Sequence, residues 1–297
     1  VDISTRTESD LYRPLAPAPP DGLGFTASWP VRTGDVDPGH RLRLDGVSRY
    51  LQDVGSDNLD ASELADSDPV WIVRRTVIDV VRPVSWPDRV HLRRWCAGLS
   101  TRWSAMRVRV TSDKGALIET EGFWININPD SGMPARISDR GLEHLGRTTD
   151  EHRLRWRAWL DERAPDDDAR GRSAGSPADV PFPLRSTDLD PLDHVNNAAY
   201  WHAVEQHLQG WAAAPGRADL LAGPHRAVLE YRAPITEGEN VRIRARHAPG
   251  SMTLWFLVDD EVRAIARVAV VDHYRIDDRT PDSADDRPPD RVTPSGG

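Results

Sequence analysis

Carboxylates, an imidazole and two amides crowd into one short stretch, Arg185–Glu205, reading RSTDLDPLDHVNNAAYWHAVE. Asp188, Asp190 and Asp193 precede His194, and Asn196 and Asn197 follow at the start of a helix-like run. Such a junction supplies an acid or base, a residue that titrates near neutral pH, and outward-facing N–H groups. Those N–H groups favour developing negative charge, so a carbonyl oxygen becoming an oxyanion is one user of the place. Asp and Asn ahead of a helix are also ordinary caps and turn residues, and the motif alone does not separate the two roles.

Half of the motif occurs twice. Thr33–His40 reads TGDVDPGH, and Ser186–Pro191 reads STDLDP. Each copy follows a short apolar stretch and precedes a run with helical periodicity. Leu44–Leu59 places Val47, Tyr50, Leu51 and Val54 at spacings of three and four, and Asn196–Trp211 does the same with Ala199, Ala203, Val204, Leu208 and Trp211. Period-two patterning follows each helix. Met106, Val108 and Val110 alternate with Arg107 and Arg109, and Val241, Ile243 and Ala245 alternate with Arg242, Arg244 and Arg246. That pattern predicts strands with one buried and one wet face. Pro83-Val84 and Pro234-Ile235 fall at comparable places. The chain reads as a duplicated unit of strand, helix and antiparallel strands, an α+β architecture in which each helix covers an apolar sheet face.

Strand, D-x-D-P, helix and antiparallel strands resemble the hotdog fold. Two copies in one chain, with DLDPLDHVNNAAYW in the second, resemble the acyl-acyl carrier protein thioesterases, including the plant enzymes that release fatty acids from acyl carrier protein. Leu229-Glu230-Tyr231-Arg232 is similar to that family's LEYR strand, and Leu51-Gln52-Asp53 to the LQ pair of its first helix. The resemblance spans roughly Gly24 to Asp272 and is most specific at His194–Trp201. It implies a double hotdog, two repeats of a long central helix wrapped by an antiparallel sheet. A single hotdog normally needs a partner to complete its sheet and pocket, so one chain should mimic a dimer. It also implies a fatty acyl thioester of acyl carrier protein or coenzyme A as substrate.

On that reading Asp190, His194 and Asn196 are the expected catalytic residues. Asp190 serves as orienter, base or nucleophile, His194 as general base, and the N–H groups near Asn196 as carbonyl donors. Asn197, Tyr200 and Trp201 are expected to contact substrate. The family reads D-x-N-x-H in this loop, which sets Leu192 at the Asn position, and its Glu-Cys pair after the LEYR strand falls on Pro234 and Ile235. D-x-D-P also resembles the simpler signature of single-hotdog thioesterases. Two other readings are a hotdog enoyl-thioester hydratase and a degenerate acyl-binding module; thiol release separates the thioesterase from the module, and hydration of an enoyl thioester would identify the hydratase.

Composition narrows the rest. A net charge of -9 disfavours general nucleic-acid binding. Cys96 is the only cysteine, which excludes an intrachain disulfide and cysteine metal clusters, and with no H-E-x-x-H no metal or cofactor is expected. The absence of a long apolar run predicts no membrane span, and with a polar, acidic start the chain is expected to be cytoplasmic. A homodimer is compatible with the pattern. The expected organisation is a flexible segment over 1–23, a first repeat over 24–137, a helical linker (Gly141–Leu160) and mobile loop within 138–179, a second repeat over 180–273 carrying the site, and a disordered tail over 274–297. Some of the eleven tryptophans are expected to line an acyl tunnel. The arginines at 107 and 109, at 153, 155 and 157, and at 242, 244 and 246 are candidate docking faces for an acidic carrier.

Overall fold

The computed structural model describes residues 11–20, 22–62, 64–165, 179–212, 220–221 and 223–271. The expected tail, and all but the ends of the loop expected between Ala164 and Asp179, lie outside them.

The strands are β1 (Phe25–Pro30), β2 (Val70–Arg82), β3 (Arg89–Leu99), β4 (Trp103–Ser112), β5 (Leu117–Ile127), β6 (Val180–Phe182), β7 (His225–Tyr231), β8 (Val241–Ala248), β9 (Ser251–Val258) and β10 (Glu261–Val270). They form one antiparallel sheet in the order β1-β3-β4-β5-β2-β7-β10-β9-β8-β6. Reading outward from the β2–β7 seam, β5, β4, β3 and β1 on one side answer β10, β9, β8 and β6 on the other. The duplicated sequence is therefore a duplicated fold, with each half's sheet continued by its twin.

Two long helices, α1 (Leu44–Ala61) and α3 (Asn197–Ala212), lie on one face of this sheet and against each other. Val47, Tyr50 and Val54 of α1 are buried in the same cluster as Ala199, Ala203, Val204 and Leu208 of α3, together with inward residues of both half-sheets. The double hotdog expected from sequence is the architecture found.

The seam carries a buried ion pair. Asp79 and Arg226 are paired across β2 and β7, their side chains are fully buried, and they meet at 2.6 Å. The same guanidinium donates to the carbonyls of Leu11 and Arg13. Residues 11–20 thus run along the outer face of the sheet. Leu11, Trp159 and Leu160 bury there against Val77, Val228, Trp255 and Ile265.

Two expectations are corrected here. The linker Gly141–Leu160 is helical only as a short α2 (Asp139–Gly146), capped by Ser138, whose Oγ accepts the Gly141 N–H. Beyond it the chain is extended: Leu154, Trp156 and Ala158 are half-buried while Arg153, Arg155 and Arg157 are exposed. Its backbone donors are satisfied by the body of the protein. Leu154 N–H reaches the Leu99 carbonyl, and those of Trp159 and Leu160 reach the Glu230 carboxylate. The alternating arginines are a period-two signal that outweighs the weaker helical pattern.

The second correction concerns the wet face of β4. Arg107 is buried, donating to the Thr120 carbonyl and to Glu119 at 2.6 Å each. The outer face is covered by extended chain, so the polar residues there are buried and paired.

Candidate active site

The motif forms a rigid loop between β6 and α3. After a 3-10 turn at Ser186–Asp188, Leu189 and Val195 form a bridge, and the Asp190 N–H reaches the His194 carbonyl at 2.8 Å. The turn closes through Asp193 at φ 58, a left-handed conformation that Asp tolerates better than most residues. Asp188 is buried and anchors the loop. Its carboxylate accepts the Arg185 backbone N–H and guanidinium, while its own carbonyl accepts the Asn196 N–H at 2.7 Å. Burial alone would raise the Asp188 carboxyl; the bonds from Arg185 outweigh it and hold the group below its ordinary value.

Asn196 is the helix cap: its Oδ1 accepts the Ala198 N–H at 2.8 Å. Asp190 caps no helix. Its Oδ1 accepts the N–H of Leu192 at 2.9 Å and of His194 at 3.3 Å, and among the described residues its Oδ2 has no hydrogen-bond partner. Asp190, His194, Asn197 and Tyr200 line one cavity of about 450 Å³, and Asn196 is not among its walls. Trp201, expected to contact substrate, is instead fully buried in the helix–sheet core and does not line the cavity. It follows Tyr200 on the helix, and adjacent helical residues do not share a face. Burial pushes the phenols of Tyr200 and Tyr231 up, so both enter the cavity wall as neutral groups.

The opposite wall comes from the other half. Leu51, Gln52 and Gly55 of α1 face the loop, and Trp71, Met106 and Trp124 continue the lining towards the first half-sheet. Two of the tryptophans expected to line a tunnel are thus found in the cavity. Trp124 lies close over Gly122, where a Cβ would fall 2.3 Å from its indole nitrogen. Leu192, standing at the family's Asn position, is half exposed on the cavity wall.

The first copy of the loop has the same backbone. The Asp37 N–H reaches the Arg41 carbonyl as Asp190 reaches His194, and the Arg43 N–H reaches Asp35 as Asn196 reaches Asp188. Leu42 bonds to Val84 as Val195 bonds to Ile235, and His40 at φ 68 stands where Asp193 does. Arg41, not His40, is therefore the counterpart of His194. Its guanidinium bridges Asp37 at 3.0 Å and both oxygens of Glu205 at 3.0 and 2.7 Å, and Glu205 also accepts the Leu44 N–H at 2.7 Å. Glu205 lies eight residues into α3, as Gln52 lies eight residues into α1. The residues that bound a cavity in one copy are ion-paired across the gap in the other.

Sequence reasoning passed over the Arg41–Glu205 plug and the site position of Gln52. The signal for both was the repeat itself, once Leu44 is aligned with Asn197.

Known proteins match along both halves. Residues 22–145 match the acyl-ACP thioesterase N-terminal domain, and residues 172–263 match the acyl-ACP thioesterase C-terminal domain. The chain belongs to the acyl-ACP thioesterase family. A protein of Mycobacterium tuberculosis with no assigned function is 44% identical over 257 residues, covering 86% of this chain and 96% of that one. An acyl-[acyl-carrier-protein] hydrolase of Cuphea viscosissima is 24% identical over 203 residues, covering 61% of this chain and 46% of the plant protein. Among solved structures, an acyl-ACP thioesterase from Bacteroides thetaiotaomicron superposes with a TM-score of 0.62 at 15% identity, covering 82% of this chain and 96% of that one. The 12:0-ACP thioesterase from Umbellularia californica gives 0.59 at 19%, covering 84% and 97%. These two likenesses establish the fold of the thioesterase.

The thioesterase has no group of three or more metal-ligating side chains among the described residues. Cys96 is buried away from the loop, and burial pushes its thiol up to about 11, unlike an activated nucleophile. No described helix of the thioesterase is long and apolar enough to cross a membrane.

Proposed function

We propose that this thioesterase hydrolyses a fatty acyl thioester of acyl carrier protein at the Asp190–His194 loop, with the acyl chain laid into the cavity beneath α1. The observation that carries this reading is the contrast between the two copies. The Arg41–Glu205 pair bridges the loop and α3 in one, leaving an outer cleft of about 320 Å³ along Asp37–Arg41, and the other leads beneath α1 into a mostly apolar cavity of about 450 Å³.

The reaction divides among residues of both halves. The Asn197 N–H, which has no acceptor among the described residues, and the side-chain amide of Gln52 hold the carbonyl oxygen and stabilise the oxyanion. Gln52 is assigned from its twin, since Glu205 makes the corresponding approach to the Leu44 N–H. Asp190 presents Oδ2 to the carbonyl carbon while Oδ1 stays committed to the turn, and so activates water or attacks directly. His194 lies four residues on, its backbone N–H bonded to the same carboxylate, and its imidazole passes a proton to the leaving thiolate. This scheme works without the family's Asn, Glu and Cys, whose positions carry Leu192, Pro234 and Ile235.

Thiol release measured over a series of acyl lengths, on acyl carrier protein and on coenzyme A, tests the reading. Turnover of saturated acyl-carrier-protein thioesters is expected. Binding without thiol release would instead make the chain an acyl-binding module.

A further inference from the structure

Arg94 is out of place in a pocket for a plain alkyl chain. On β3, Val90 and Leu92 point into the core beneath α1, and Arg94 follows at the same parity. It lines the main cavity and a narrower extension running beneath α1 between Met106 and Trp124. Among the described residues its guanidinium makes one hydrogen bond, to Asn58 Oδ1 on α1. Among the described residues no carboxylate pairs with it.

The fully buried arginines differ in that respect. Arg75 meets Glu230, Arg107 meets Glu119, and Arg226 meets Asp79. The cavity wall it shares also carries Arg74 and, at the loop, Asp190. His144 lines the same cavity, and burial together with Arg147, Arg94 and Arg140 pushes its imidazole down. Burial lowers the Arg94 guanidinium to about 10, which leaves it charged at neutral pH. Arg94 itself is half-buried; a charge without a partner grows costlier as water leaves it, and an alkyl chain that expelled that water would impose the cost.

We propose that the acyl group accepted by this site carries an oxygen-bearing substituent, a carboxylate, hydroxyl or keto oxygen along the chain, that accepts hydrogen bonds from Arg94 inside the cavity. This deepens the thioesterase reading and rests on it. Arg94 lies on the inward face of the sheet beneath the helix. Its partner is therefore part of the acyl group rather than the phosphate of the carrier's arm.

The test compares acyl-pantetheine thioesters of matched length: unsubstituted, terminally carboxylated, and bearing hydroxyl or keto groups at successive carbons. The wild-type protein should favour at least one oxygenated member by about tenfold in kcat/KM, the worth of one charged hydrogen bond. Arg94→Met and Arg94→Gln, the second keeping a donor for Asn58, should abolish that preference, mostly through KM. A preference for carboxylate alone, or for hydroxyl or keto, identifies the substituent. Unchanged ratios in both variants, or a wild-type preference for the unsubstituted chain, would overturn the proposal. If no thioester is hydrolysed, the hydrolytic reading falls by itself. Binding of non-hydrolysable amide analogues then decides the Arg94 proposal: tighter binding of an oxygenated analogue by wild type than by both variants sustains it, and equal binding refutes it.

Discussion

Arg41 of the first half and Glu205 of the second meet through two hydrogen bonds, at 3.0 and 2.7 Å, at the position where the other half of the molecule keeps a cavity. Burial would lower the Arg41 pKa, but Glu205 and Asp37 more than offset it and hold the guanidinium firmly charged. Removing one member of such a pair strands the other. Glu205→Ala should destabilise the fold by about 3–5 kcal/mol in denaturant unfolding. The turnover of the molecules that remain folded should be close to wild type. A large fall in kcat without loss of stability would show that the first copy takes part in catalysis.

Asp190→Asn should abolish hydrolysis while leaving the fold intact, because an amide Oδ1 can still accept the Leu192 and His194 N–H groups. What it lacks is the basic Oδ2, and loss of a general base costs about a hundredfold or more. His194→Ala should lower kcat substantially, whereas Asp37→Asn should alter stability but not kcat. Near-normal turnover by Asp190→Asn would move the chemistry to another loop.

Gln52→Leu removes one proposed oxyanion donor from the wall opposite Asn197. The expected loss is about a hundredfold in kcat with little change in KM, since the bond strengthens as charge develops on the oxygen. If KM rose and kcat did not, Gln52 would be a ground-state contact only.

Asp45 sets an acid limit on stability. Burial alone would raise its carboxyl, but His202, Arg43 and Arg49 outweigh it and hold it far below the usual range. For a depressed carboxyl the stabilisation is complete above the unfolded value, about 4, and is lost as pH falls below it. Asp45→Asn should therefore lower Tm at neutral pH and flatten its decline below about pH 4. An unchanged acid limb would assign that decline to other groups.

Carrier docking should depend on salt through few residues. Arg242 and Arg244 are paired with Asp179, Arg246 with Glu162, and Arg107 and Arg109 with Glu119. Arg153, Arg155 and Arg157 are exposed along the extended segment after α2. Replacing Arg153 and Arg155 by Gln should raise KM for acyl-carrier-protein several-fold at low salt and leave acyl-pantetheine unaffected. Equal KM for both proteins would remove this face from the docking surface.

Local chemistry was legible in the chain itself. The doubled D-x-D-P, the helical spacing of Val47, Tyr50 and Val54, and the strand alternation after each helix determined a duplicated helix-on-sheet unit, because such patterns report which face of an element must be buried. The loop that brings Asp190, His194 and Asn197 to one cavity was legible for the same reason: a turn and a helix start are encoded in short sequence. Which copy leads into the cavity beneath a helix was decided only in three dimensions. Arg41 and Glu205 are 164 residues apart, and their pairing exists only because α1 and α3 pack against each other. The same packing sends Trp201 into the core, brings Gln52 opposite Asn197, and places Arg94 under a helix with no paired carboxylate among the described residues. The strand arginines were misjudged because a sheet face is wet only if nothing lies on it. Here residues 11–20 and the extended chain before Leu160 cover it, and no local pattern in β4 could report their arrival.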